Sequence, residues 1–170
     1  MVTLDDILAA QQRIRGVALR TPLVLFPAPD NSGPFYLKAE NLQPIGSFKL
    51  RGAYNKIASL TPEERKRGVI AHSSGNHAQG VAYAARALAT RATIVLPSTA
   101  PEIKVEATRA LGAEIVISGP NSADRIKLAE ELAARQFAGT FERFRSLRLS
   151  ATPPRLPSSS LGLCVNKFLS

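Results

Sequence analysis

Cysteine, histidine and tryptophan are scarce or absent in this sequence. Its 170 residues include one cysteine, Cys164, two histidines, His72 and His77, and no tryptophan. One thiol cannot form an internal disulfide, and one thiol with two imidazoles leaves a zinc site short of ligands. We therefore expect neither a disulfide nor a metal site within the chain.

Long apolar runs are also lacking. No stretch reaches the length of about 18 apolar residues that a membrane-spanning helix needs, and Asp5 and Asp6 stand where a secretory leader would be basic and then apolar. The composition, 45% hydrophobic and 21% charged, is that of a globular protein. We therefore expect one domain, no membrane partner and a cytoplasmic location.

Positive charge is in excess, but no motif that reads nucleic acid accompanies it. The formal net charge is +9, and residues 135–170 hold six basic side chains against one acidic side chain. Neither an aromatic-rich strand nor zinc-finger spacing stands beside these arginines, so charge alone supports only nonspecific attraction to phosphate. We expect no specific nucleic-acid partner. A basic polyanion-binding module remains an alternative for the tail.

The middle of the chain alternates short apolar, β-branched segments with helical patterns. Strands are predicted at 69–71, 92–96 and 113–117, each followed by a helix. Such alternation is typical of an open parallel sheet with helices on both faces, so the fold class is α/β. The other predicted elements are helices over 3–15, 47–60, 61–64, 76–89, 101–111 and 122–135, and strands over 21–26 and 35–38.

The alternating pattern ends near Arg135. Residues 137–170 have neither strand nor helix periodicity, and residues 150–160 are low in complexity. We assign 1–134 to the folded domain and 135–170 to a basic tail outside the fold, disordered or poorly packed. Because the series stops where another strand would follow, we hypothesise a truncated product with an unrelated tail. Translating the downstream nucleotide sequence in the other reading frames tests this.

Lys49 occupies an unusual position for a cation. Ser47 is a good N-cap, so Lys49 and Arg51 fall in the first turn of a helix, where the helix dipole disfavours positive charge. Lys49 also lies on the apolar stripe of that helix. Burial and the dipole both favour a neutral, nucleophilic amine, which indicates a Schiff-base lysine. The alternative is a lysine whose stem covers apolar surface while its amine reaches water.

A second motif lies between a predicted strand and the helix that begins at Asn76. Its residues Ser73, Ser74, Gly75, Asn76 and His77 place backbone amides and polar side chains at a helix N-terminus, which can bind a carboxylate or phosphate. The alternative is a plain serine or asparagine cap. The sequence contains neither the glycine pattern of dinucleotide-binding loops nor the Walker-type phosphate loop.

The two motifs, Asn41–Ala53 and Ala71–Gly80, resemble in order and spacing those of the threonine/serine dehydratase and serine racemase family. These are fold-type II, tryptophan-synthase-β-like enzymes that use pyridoxal 5'-phosphate. The resemblance covers about residues 3–134 and implies the N-terminal portion only, the small-domain half of a two-domain fold. It also implies that Lys49 is the Schiff-base lysine and that Phe48 lies near the cofactor ring.

The same resemblance implies roles for the second motif. Asn76 is expected to hydrogen-bond the 3-oxygen of the cofactor. Ser73, Ser74, Gly75, Asn76 and His77 are expected to hold the carboxylate of a small amino-acid substrate. In racemases of the family, the residue at Ser74 is the base on the face opposite the lysine.

The implied reaction is that of an ammonia-lyase, which converts a β-hydroxy amino acid such as threonine or serine to a 2-oxo acid and ammonia. The family's glycine-rich phosphate loop and its partner for the pyridine nitrogen are not recognisable in this sequence, and Cys164 lacks the context for the latter role. Two further alternatives therefore stay open. One is serine racemase activity, and the other is an inactive fragment that associates with itself or with a full-length relative.

Overall fold

The computed structural model describes residues 2–27, 33–73 and 75–136. The helices of these residues are α1 (Leu4–Arg13), α2 (Lys49–Ala58), α3 (Pro62–Arg67), α4 (Asn76–Ala87), α5 (Glu102–Ala110) and α6 (Ser122–Gln136), with a 3-10 helix at Glu40–Leu42. The strands are β1 (Leu23–Phe26), β2 (Phe35–Lys38), β3 (Val69–His72), β4 (Ala92–Pro97) and β5 (Glu114–Ser118). The predicted elements are all present to within a few residues. The predicted tail lies, from residue 137 onward, outside the described residues.

Capping boxes mark the N-termini of two helices, α1 and α3. At α1, the Thr3 hydroxyl accepts a hydrogen bond from the Asp6 N–H, and the Asp6 carboxylate accepts one from the Thr3 N–H. Thr61 and Glu64 form the same capping box at α3. None of the helices in the described part of the chain has the length and apolar character needed to cross a membrane.

Strands β3, β4 and β5 form a parallel sheet in sequence order. Neighbouring residues of a strand point to opposite faces, so Ile94 is buried on the side of α2 and α4. The next residue, Val95, is buried on the other side against Ala129 and Ala133 of α6. Helices therefore cover both faces of the sheet, and the predicted α/β fold class is confirmed.

Helix α2 packs against α4 at an unusually close contact. A Cβ placed at Gly80 of α4 would lie 3.1 Å from the carbonyl oxygen of Lys49 and 3.4 Å from the Cβ of Ala53. A larger residue at position 80 would push the first turn of α2 away, since protein interiors leave little room for added volume. Gly80 thus sets the separation of the two helices at Lys49.

A charged network holds the segment that precedes α2. Arg51 donates hydrogen bonds to both carboxylate oxygens of Glu40 at 2.8 Å each and to the carbonyl oxygen of Leu19 at 2.6 Å. The Thr21 hydroxyl donates to the same carboxylate at 2.6 Å. Burial alone would raise the pKa of Glu40, but the hydrogen bonds from Arg51 and Thr21 outweigh burial and lower it. The network thereby fastens residues 19–21 and the 3-10 helix to α2.

Strands β1 and β2 pair with each other in antiparallel register, from Leu23 opposite Lys38 to Phe26 opposite Phe35. Their apolar side chains are exposed on both faces of the hairpin, and Leu25, for example, is 62% exposed. A two-stranded hairpin is at best marginally stable by itself in water, and contiguous exposed apolar surface marks a contact site. The hairpin therefore has no buried core of its own.

Replacing two helical glycines separates helix propensity from packing. Gly52→Ala should raise the free energy of unfolding by about 0.5–1 kcal/mol, because alanine favours the helix and no atom lies within 4 Å of the added Cβ. Gly80→Ala brings its methyl group against the Lys49 carbonyl, so we expect a smaller gain or none. Gly80→Val should destabilise by about 1–3 kcal/mol. Urea denaturation measures all three, and equal stabilisation by both alanines would contradict the close contact.

The Glu40 network has a matched control in an exposed ion pair of α5. Glu40→Gln should cost about 1–3 kcal/mol of the free energy of unfolding, because it leaves a partly buried arginine with a weaker partner. The pair of Arg109 with Glu106 is more than half exposed, so Glu106→Gln should change the free energy by less than about 1 kcal/mol. Comparable losses in the two variants would show that the Glu40 network contributes no more than a surface pair.

Candidate active site

The predicted Schiff-base lysine, Lys49, is the first residue of α2. The N-cap of this helix is Phe48, which has helical backbone angles and makes no side-chain capping bond, so the predicted N-cap Ser47 lies one residue too early. Ser47 nevertheless acts as a cap, since its hydroxyl oxygen accepts a hydrogen bond from the Lys49 N–H at 3.3 Å. The Lys49 side chain is half-buried, and its Nζ lies 4.8 Å from the centroid of the Phe48 ring. The amine is thus held beside an aromatic ring at the start of the helix.

The predicted carboxylate loop connects β3 to α4. The Ser73 N–H donates to the carbonyl oxygen of Val95 at 3.1 Å, which extends the pairing of β3 with β4. The Gly75 N–H donates to the Ser73 hydroxyl oxygen at 3.3 Å, so this amide is engaged within the loop. Ser74 lies outside the described residues. The loop leaves the carboxyl end of β3 and enters α4 at Asn76, as the sequence predicted.

His77 links the loop electrostatically to Lys49. Burial lowers the pKa of His77, and the positive charges of Lys49 and His72 lower it further. Burial also lowers the pKa of His72. The positive charge of Arg125 lowers this pKa further, and the negative charge of Glu130 raises it. The geometric evidence that Lys49 lies near this region is the packing of its backbone against Gly80, one turn after Asn76.

The side chain of Asn76 contacts α5. Lys104, in the first turn of α5, donates a hydrogen bond from Nζ to Oδ1 of Asn76 at 2.9 Å. The sequence analysis gave Lys104 no role. Topology was the signal that could have found it: α5 follows β4, which pairs with β3, so its first turn lies at the same sheet edge as the loop.

The two motifs therefore meet at the carboxyl end of the sheet. Gly80, one turn into α4 beyond Asn76, brings the backbone of Lys49 against the helix that the loop enters. The described residues offer an amine, an imidazole, an amide and a serine hydroxyl around one loop. An amine can attack a carbonyl carbon, and amides at a helix start can bind an anion. The set suits a ligand that carries both a carbonyl group and a carboxylate or phosphate.

Comparison with known proteins finds a family model and relatives that match most of this chain. Residues 14–143 match the family model described as pyridoxal-phosphate dependent enzyme. The L-threonine ammonia-lyase of Thermotoga maritima is 54% identical over 121 residues, which cover 70% of this chain and 30% of the relative. A catabolic L-threonine dehydratase of Staphylococcus aureus is 46% identical over 136 residues, which cover 78% of this chain and 39% of the relative.

Solved structures agree with these sequence matches. Maize serine racemase has a TM-score of 0.76 and 36% identity to this chain, with 79% of this chain and 42% of the racemase covered. This chain therefore spans less than half the length of the relatives that it matches. The match to the family model, over residues 14–143, includes both sequence motifs.

The lowered pKa values of His72 and His77 predict how stability depends on pH. In the unfolded chain both imidazoles take up protons near an ordinary pKa of about 6.5, whereas the folded chain takes them up only at lower pH. The unfolded state then binds more protons, so the free energy of unfolding should fall as pH is lowered from about 7.5 to about 5.5. Urea denaturation at several pH values measures this.

The control for the pH prediction is the double variant His72→Gln, His77→Gln. Carboxylates of ordinary or lowered pKa stay ionised over this range, so the double variant should lose most of the pH dependence. A wild-type stability that rises as pH falls, or a slope that persists in the double variant, would contradict the assignment to these imidazoles.

Proposed function

Because this chain belongs to the family of pyridoxal-phosphate dependent enzymes, we propose that it carries the N-terminal part of an ammonia-lyase site. The proposed substrate is a small β-hydroxy amino acid, and the products are a 2-oxo acid and ammonia. The observation that carries the proposal is the meeting of Lys49 with the loop that leads into Asn76 and His77. Similarity to threonine ammonia-lyases supports the choice of reaction.

The residues of the site suit one edge of the cofactor. Pyridoxal 5'-phosphate carries an aldehyde and a phenolic oxygen on adjacent ring atoms. Lys49 supplies the amine that reacts with the aldehyde, and Asn76 supplies an amide N–H for the phenolic oxygen. Phe48, which lies beside the Lys49 amine, supplies apolar surface next to the ring. The donor set therefore fits the aldehyde end of the cofactor.

Proton transfer and substrate binding complete the proposal. The bound cofactor withdraws electrons from the substrate and so weakens the bond to its α-hydrogen. The Lys49 amine would take that proton as a general base and pass it to the β-hydroxyl group, which leaves as water. A second water would then hydrolyse the resulting 2-imino acid to the 2-oxo acid and ammonia. Ser73, Ser74, Gly75, Asn76 and His77 hold the substrate carboxylate, for which the Gly75 N–H would exchange its present acceptor, the Ser73 hydroxyl oxygen.

His77 has a specific electrostatic role in this arrangement. Its lowered pKa keeps the imidazole neutral near pH 7. A neutral imidazole can donate a hydrogen bond to a carboxylate without placing a second positive charge against the Lys49 amine. The proposal thus assigns His77 to orientation of the carboxylate.

The exposed apolar hairpin of β1 and β2 favours a second candidate function. The chain spans less than half the length of the relatives that it matches. The exposed apolar hairpin of β1 and β2 is surface that a further portion of fold could cover. An inactive fragment that associates with itself or with a full-length relative is therefore the alternative. A cytoplasmic location stays a prediction.

Racemase chemistry is an outcome of the same assay. It needs a base on the second face of the substrate, for which Ser74 is the candidate, and the structural likeness to maize serine racemase supports testing it. Incubation with L-threonine or L-serine, followed by measurement of 2-oxobutanoate, pyruvate and D-serine, separates the three reactions. Absence of all three products, with the cofactor added, would favour the inactive fragment.

Cofactor binding gives the direct test of Lys49. We expect the purified chain to form a weak imine absorbance with added pyridoxal 5'-phosphate that is lost on dialysis, because the described residues provide contacts for the aldehyde end of the cofactor. Lys49→Ala and Lys49→Arg should both remove it, while Lys66→Ala, on the exposed surface of α3, should leave it unchanged. An unchanged spectrum in both Lys49 variants would overturn the assignment. Dialysis-resistant absorbance with ammonia release would instead favour an active chain over the fragment.

A further inference from the structure

We propose that Lys104 is a positioning residue that fixes the orientation of the Asn76 side-chain amide, so that its N–H group faces the cofactor site. This inference rests on the proposed function, because it concerns the amide assigned to the phenolic oxygen of pyridoxal 5'-phosphate. The observation that carries it is the hydrogen bond from Lys104 Nζ to Asn76 Oδ1 at 2.9 Å.

The chemistry of the two side chains makes this contact directional. An asparagine amide is planar and carries one acceptor oxygen and one donor NH2 group at its two ends, and rotation by half a turn exchanges them. A lysine ammonium group has donors only, so it can hold the oxygen and not the NH2 group. While Lys104 holds Oδ1, the Nδ2 donors point away from Lys104. The phenolic oxygen of the cofactor is an acceptor and needs such a donor.

The backbone of Lys104 is fixed by its own helix. Its N–H donates to the carbonyl oxygen of Pro101 at 2.8 Å. Its carbonyl oxygen accepts a hydrogen bond at 2.7 Å from the hydroxyl of Thr108, a fully buried residue one turn later. A hydroxyl buried in this way keeps the first turn of α5 in register with the core. The backbone from which the Lys104 ammonium group reaches Asn76 is therefore fixed, while the hydrogen bond itself lies at the exposed surface.

A charged donor also has an electrostatic advantage over a neutral one. Hydrogen bonds in which one partner is ionised are stronger than those between neutral groups. The ammonium group draws electron density towards Oδ1, which makes the Nδ2 hydrogens of the same amide better donors, as in other chains of linked hydrogen bonds. Loss of Lys104 should thus both free the amide to rotate and weaken its N–H donor.

A double-mutant cycle on the full 170-residue chain tests the inference. Affinity for pyridoxal 5'-phosphate and the position of the absorbance band of the bound cofactor are measured for the wild type, Lys104→Met, Asn76→Ala and the double variant. We expect Lys104→Met to weaken binding about three- to tenfold, the range for one lost hydrogen bond, and to shift the band. In the Asn76→Ala background, the same change should weaken binding less than about twofold, because the group through which Lys104 acts is gone.

Two further variants separate orientation from charge. Lys104→Arg keeps a side chain with donors only and should restore affinity to within about twofold of the wild type. Asn76→Asp keeps an oxygen for Lys104 but has no N–H donor, so it should bind the cofactor no better than Asn76→Ala. Lys127→Met, on the exposed surface of α6, is the control for loss of a positive charge. Circular dichroism identifies the temperature range in which all variants are folded.

The outcomes distinguish this inference from the proposed function. An equal effect of Lys104→Met in the wild-type and Asn76→Ala backgrounds would overturn it, because Lys104 would then act independently of the amide. So would an affinity and band position unaffected by Lys104→Met while Lys49→Arg still abolishes the absorbance. If instead the absorbance persists in Lys49→Arg, it is the proposed function that fails.

Discussion

The close approach of α2 to α4 at Gly80 is the constraint on which the candidate site depends. Lys49 is the first residue of α2, and the loop after β3 leads into Asn76, the first residue of α4. The distance between α2 and α4 therefore decides whether the Lys49 amine and the loop can contact the same ligand. A Cβ at position 80 would lie 3.1 Å from the Lys49 carbonyl oxygen. Positioning of reacting groups is sensitive to shifts of about 1 Å. The packing contact at Gly80, which has no reactive group, therefore positions the Lys49 amine relative to the loop before α4.

The first turn of α2 contains two basic residues, Lys49 and Arg51, at positions where the helix dipole disfavours positive charge. The two side chains have different contacts. Arg51 is held by the carboxylate of Glu40 and by the carbonyl oxygen of Leu19, which makes it a structural cation. Lys49 lies against the Phe48 ring and acts electrostatically on His77. The sequence pattern singled out both residues. Of the two, Arg51 has a structural role and Lys49 is the candidate functional residue.

Local sequence was sufficient for the elements and for the family, but not for the contacts between elements. Strand and helix bounds follow from periodicity and capping residues such as Thr61, which act within a few residues. The family predicted from two motifs is confirmed. The bond of Lys104 to Asn76 spans 28 residues of sequence and that of Arg51 to Glu40 spans 11. Such pairs depend on how the strands are ordered and how the helices pack, which no local pattern specifies.

The contacts that arrange the aldehyde end of the proposed cofactor site all lie within the described residues. Glu40 with Arg51 fixes the start of α2, Gly80 fixes its distance to α4, and Lys104 holds Asn76. None of these contacts requires the portion of fold by which the relatives exceed this chain. Under the proposal, interactions with the phosphate and the ring nitrogen contribute binding energy separately from these contacts. Packing at Gly80 and hydrogen bonding at Asn76 thus arrange the aldehyde end of the proposed site from contacts within the described residues.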